Sequence, residues 1–187
     1  MIPVSRIVSS LRYSLRDMQG LNVSDFELIE AINQASALLY GRLAEKFIHT
    51  ALKKTLLVVD EDGQTTLPSD FVSVHRVGMG EEGYAVPESY RPDEAGTYRI
   101  AGNNFYAPEG SYSFEYYYLP QRVTSLTDRL DVPLSLSPYI EQISAAMLSK
   151  DLSTAEQLAQ LCCNVQAGGE ISHLENTGPV EILGGML

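Results

Sequence analysis

Apolar residues at Val4, Ile7, Val8, Leu11, Leu15 and Met18 recur every three or four positions, the spacing that lines one face of an α-helix. Pro3 suits the first turn of that helix, and Gly20 closes it. Ser24 followed by Glu27 has the form of a capping box. Behind it Leu28, Ile32, Ala35, Leu39, Leu43 and Phe47 predict a second amphipathic helix of about 25 residues. The short link Gln19–Val23 favours an antiparallel helical hairpin.

From Thr55 the period shortens. Leu56–Val59 reads as an apolar strand, Asp60–Gly63 as its turn and Thr65–Pro68 as the returning strand. Val72–Val77 is a further strand. Residues 78–96 show little periodicity and read as a loop with at most one short strand. Tyr98–Ala101 and Phe105–Tyr106 flank a Gly-Asn-Asn turn. Ser111–Leu119 alternates most clearly, with Tyr112, Phe114, Tyr116 and Tyr118 on one face and Ser111, Ser113, Glu115 and Tyr117 on the other. After Pro120, residues 121–136 read as a connecting loop. Ser137-Pro138 opens a helix carrying Tyr139, Ile140, Ile143 and Met147. Ser153 and Glu156 form a second capping box ahead of Leu158, Leu161, Cys162 and Val165, with Gly168-Gly169 as the stop. Residues 176–187, rich in glycine, read as an extended tail.

These elements give an α+β fold class. An N-terminal helical hairpin and C-terminal helices form a helical domain (1–54 and 137–175). A small antiparallel sheet or barrel (55–136) is inserted between them, and 176–187 trails behind.

Charge refines this picture. The net charge of −11 is uneven: residues 1–54 carry seven basic and five acidic side chains, 55–136 five and thirteen, 137–187 one and six. Tight DNA binding needs several phosphates neutralised by Lys and Arg, which excludes the C-terminal two-thirds as a conventional binder. The acids by themselves read as keeping a protein in solution; where such a surface faces DNA, it repels the DNA and leaves it free to slide. No apolar run is long enough to span a bilayer. The adjacent Cys162 and Cys163 are too close for a loop-closing disulfide and fit buried helix positions, so a cytosol-like compartment suffices.

Catalytic and ligand motifs fail on context. Gly78–Gly83 spells G-x-G-x-x-G, but Tyr84-Ala85-Val86-Pro87 stands where a phosphate-binding helix is needed. Asp60–Gly63 lacks the rest of a calcium loop and reads as turn chemistry. His49, His75 and His173 show no metal-ligand spacing with each other or with the cysteines. His75 near Asp70 and Ser73 has no nucleophile elbow. The expectation is no enzyme, no metal and no cofactor. The tyrosines suit packing better than base stacking, because the block around them is acidic. Arg6, Arg12 and Arg16 lie off the first helical stripe, as candidate contacts to DNA or an acidic partner, or as a solvated face.

Three stretches carry a resemblance: Ser24-Asp25-Phe26 with Asn33-Gln34-Ala35; Leu67-Pro68-Ser69-Asp70-Phe71; and Gly102-Asn103-Asn104 leading to Tyr116-Tyr117-Tyr118-Leu119-Pro120. In this order the chain resembles, over nearly its whole length, the head-to-tail adaptor (connector, or head-completion) proteins of tailed bacteriophages. The resemblance implies a structural protein made in the host cytoplasm and used in the virion neck. It implies a homo-oligomeric ring of about twelve copies beneath the portal, continuing the DNA channel. Its partners would be the portal protein, tail tube, nozzle or fibre proteins, and genomic DNA passing without specific binding. Another neck or tail-completion role, and more remotely a small hydrolase, are the alternatives. Candidate interface residues are Tyr112, Tyr116 and Tyr118 on the strand, with Ile182, Leu183 and Leu187 in a tail expected to order on a neighbouring ring.

Overall fold

The computed structural model describes residues 1–79, 84–89 and 96–175. Ile2–Pro3 forms a short strand, β1, and the helix α1 continues from it over Val4–Ser14, burying Val4, Ile7, Val8 and Leu11. It stops well short of Met18, which is exposed. Arg16 adopts a left-handed φ of 56°, and two bonds close the end: Asp17 N–H donates to Arg12 C=O and Arg16 N–H to Tyr13 C=O. The Asp17 carboxylate then accepts from the backbone N–H groups of Leu21, Asn22 and Val23, which draws this segment out of the helix.

The helix α2 spans Asp25–Glu45 with the predicted capping box intact: Glu27 N–H donates to Ser24 Oγ and Ser24 N–H to the Glu27 carboxylate. Leu28, Ile32, Ala35, Leu39 and Leu43 are buried. Phe47 lies beyond the helix, exposed and at φ 56°, at a second left-handed stop in which Ile48 N–H reaches Leu43 C=O.

Eight strands come next: β2 (Leu52–Val59), β3 (Gln64–Thr66), β4 (Phe71–Met79), β5 (Tyr84–Ala85), β6 (Arg99–Ala101), β7 (Asn104–Tyr106), β8 (Gly110–Tyr118) and β9 (Arg129–Leu130). They make a four-stranded sheet ordered β2-β8-β4-β5, a three-stranded sheet β3-β7-β6, and the pair β1-β9. These sheets are open, and none closes into a barrel among the described residues. The class is mixed α+β.

Two pairings differ from the sequence expectation. β3 does not return along β2; it pairs with β7, and β2 pairs antiparallel with β8 through Thr55↔Phe114 and Leu57↔Tyr112. Burying the alternating aromatic face of β8 outweighs the shorter loop that a β2–β3 hairpin would close, because loop-closure entropy grows slowly with length. The loop 121–136 contains β9, which pairs with β1 and ties the N-terminus to the loop.

The helix α3 covers Ser137–Leu148, and α4 covers Leu152–Glu175. Ser137 is already inside α3 and donates to Glu141 rather than capping. Asp151, not Ser153, caps α4, accepting from Thr154 N–H and Thr154 Oγ1. Lys150 at φ 59° provides the third non-glycine stop. The helix runs straight through Gly168-Gly169. Each glycine weakens a helix interior by only about 1 kcal/mol, and neither forces an end. α3 packs on α1 and α2, and α4 on α2 and α3. One continuous apolar core joins this bundle to the sheets.

Candidate interaction surfaces

The expected interface tyrosines are core. Tyr112, Tyr116 and Tyr118 are all buried. Phe105 connects Tyr98, Tyr112 and Phe114 at centroid separations of 5.4, 5.4 and 5.7 Å, and Phe114 passes the chain to Tyr116 at 5.4 Å. Tyr118 meets Tyr40 of α2 at 5.0 Å. Their polar tips are satisfied inside the molecule: Tyr112 Oη donates to Pro108 C=O, Tyr116 Oη to Asp70 and Tyr118 Oη to Asp131 C=O. Tyrosine supplied apolar area together with a donor that finds an internal acceptor, so no face of these rings is left for a neighbour.

A polar node sits at the seam between helices and sheet. Lys53 Nζ lies 2.8 Å from both Asp70 Oδ2 and Asp131 Oδ2, and 4.0 Å from the centroid of the Tyr118 ring. Burial disfavours its charged form, but the bonds to Asp131 and Asp70 outweigh that and hold its pKa above the ordinary lysine value. Burial, then the bond to Asp70, pushes Tyr116 up to about 12. This node fastens β2 and β8 to the residue before β4 and the residue after β9; it has the character of a structural tie.

The basic candidates separate. Arg12 is drawn inward: its guanidinium pairs with Asp17 and Asp25 and donates to Val23 C=O, pinning the α1–α2 turn. It is unsuited to contact DNA or a partner. Arg6 and Arg16 are exposed. Arg6 shares the outer side of α1 with Tyr13, which is also exposed.

Ile182, Leu183 and Leu187, the rest of the tail 176–187 and Gly80–Gly83 of the glycine motif lie outside the described residues. Directly after that motif comes β5, paired to Gly78 and Met79 of β4, in place of the helix a phosphate site needs. Gly63 at φ 70° and the bond from Asp62 N–H to Asp60 Oδ1 make Asp60–Gly63 a turn. Folding does bring two histidines together that sequence spacing kept apart: His49 and His75 have ring centroids 5.4 Å apart, with His75 Nδ1 3.3 Å from Tyr117 Oη. Among the described residues no group of three or more His, Cys, Asp or Glu is placed to hold a metal ion. Cys162 and Cys163 are free and buried, and burial with the neighbouring thiol pushes Cys162 up to about 12.

Surface apolar residues lie elsewhere. Phe26 is 76% exposed at the start of α2, and Leu161 and Val165 are each 51% exposed on α4. On the outer face of β2, Leu56 and Val58 point to solvent while Leu57 and Val59 are buried. The apolar period of α4 placed Leu161 and Val165 with the buried stripe. The overlooked signal is charge: from Gln157 to Gly169 not one residue is charged, in a chain where 20% are.

The family described as SU10 adaptor protein matches residues 3–164 of the chain. No curated protein matches the chain.

Proposed function

Because the chain belongs to the SU10 adaptor family of phage head-to-tail adaptors, and so is a structural component of the virion neck, we propose that it forms a ring at the portal vertex. The ring joins portal to tail and continues the channel through which the genome passes. One observation carries this reading beyond the family. The chain buries the aromatic face of β8 yet leaves Phe26, Leu161 and Val165 on the surface of its helical bundle, where a closed ring offers two different faces to cover them. The helical body (1–54 and 137–175) makes the ring, and the β insertion faces its other partners. With a charge of −11 per copy, the bore repels DNA and lets it slide.

Particles made without this chain test the reading. Electron microscopy should find DNA-filled or leaking heads that carry a portal but no tail parts, and supplying the chain should restore tails. Fully tailed particles would overturn the reading. Heads with a neck ring already in place but no tail would favour a completion protein acting below it.

A further inference from the structure

Two features with apolar surface stand at opposite ends of the helical bundle. The first is a groove of about 220 Å³ at the N-terminal end of α2, lined by Phe26, Ala31, Met147 and Leu148 together with Glu27, Glu30 and Lys150, of which Glu30 is already paired with Arg122. The second is the ridge of α4 formed by Leu161 and Val165, one turn apart on the same side of the helix. Thr50 Oγ1 donates to Gln166 at 3.1 Å, which fixes this part of α4 beyond the C-terminal end of α2. A 21-residue helix is about 30 Å long, so the ridge cannot reach the groove of its own subunit.

We infer that the α4 ridge of one copy seats in the α2–α3 groove of the next, as the head-to-tail contact of the ring. The inference deepens the function proposed above and rests on it. Charge selects these faces. Copies carrying −11 each repel, and contact is least opposed where the ridge is uncharged and the two groove acids are balanced, Glu27 by Lys150 and Glu30 by Arg122. The exposed ridge is flanked by Gln157, Gln160 and Asn164, amides able to donate to the Glu27 carboxylate and accept from the Lys150 ammonium at the rim. The two features differ in shape, ridge against groove, so the contact is heterologous and repeats around a ring.

Cross-linking within particles tests it. A chain carrying Phe26→Cys and Val165→Cys, treated with a short bismaleimide, should give a ladder of multiples of this chain. Either single variant alone should give none. Cys162 and Cys163 stay silent because they are buried. As a second arm, Leu161→Asp with Val165→Asp should lower the copies per particle by about tenfold or more while the melting of the isolated chain stays unchanged. Normal incorporation of that variant, or cross-links from position 165 only to the portal or a tail protein, would overturn the inference and leave the adaptor reading intact. Absence of the wild-type chain from the neck would overturn both.

Discussion

β8 and α4 carry similar apolar wealth and dispose of it in opposite ways. In β8 each large ring on the inner face is buried against other rings, and each tyrosine hydroxyl there finds an acceptor within the chain. On α4 the inward positions are mostly small, Ala155, Ala159, Cys162 and Cys163, while Leu161 and Val165 remain half in water. Aromatic content therefore does not mark the docking face of this protein. Apolar residues left outside, in a stretch free of charge, mark it better.

The largest expected effect lies on the β8 side. Phe114→Ala removes a fully buried ring packed between Phe71, Phe105 and Tyr116, and should lower stability in chemical denaturation by about 3–5 kcal/mol. A loss below about 1 kcal/mol would show that the aromatic chain is not the core.

The seam comes next. Lys53→Met leaves Asp70 and Asp131 without their shared cation, and should cost about 1–3 kcal/mol, less than for a fully buried pair because Lys53 is a third exposed. The same denaturation experiment measures it.

Alkaline pH should weaken the β8 side in particular. Tyr40, Tyr98, Tyr112, Tyr116 and Tyr118 all have raised values, chiefly through burial. A folded-state pKa above the unfolded value of 10.0 means the contribution is complete below pH 10 and fades as pH climbs through the folded value, about 12 for Tyr116. Lys53 acts in the same direction. Denaturation midpoints should hold from neutrality to about pH 10 and then fall, and Tyr116→Phe should make the fall shallower. A midpoint that stays level from pH 10 to about pH 12 would contradict the buried placement.

On α4 the expected effect is smallest. Leu161→Ala with Val165→Ala should change the stability of the isolated chain by no more than about 0.5 kcal/mol, since these side chains rest against water. A loss comparable to that of Phe114→Ala would erase the contrast between the two regions.

Much of the fold was legible in the chain, for identifiable reasons. Periodicity placed the helical stripes, and the Ser24/Glu27 pair set the start of α2 to the residue. Helix ends were less legible, because the chain stops at Arg16, Phe47 and Lys150, left-handed residues that are not glycine, and continues through Gly168-Gly169, which are. Alternation gave the faces of β8 but not its partners, since period two fixes which side a residue points to and says nothing of which strand lies beside it. The fate of the tyrosines was illegible for a related reason: a core and an interface ask for the same residue types. Arg12 looked free because Asp17 and Asp25 meet it only after the chain turns.

The most direct test of the account is a cryo-EM reconstruction of the neck of the intact particle. It should show this chain as a ring between portal and tail, with Leu161 and Val165 covered by the next copy and Tyr112, Tyr116 and Tyr118 still packed within each subunit. A neck lacking the chain, or a ring in which β8 tyrosines turn outward to grip the neighbour while α4 faces solvent, would contradict it.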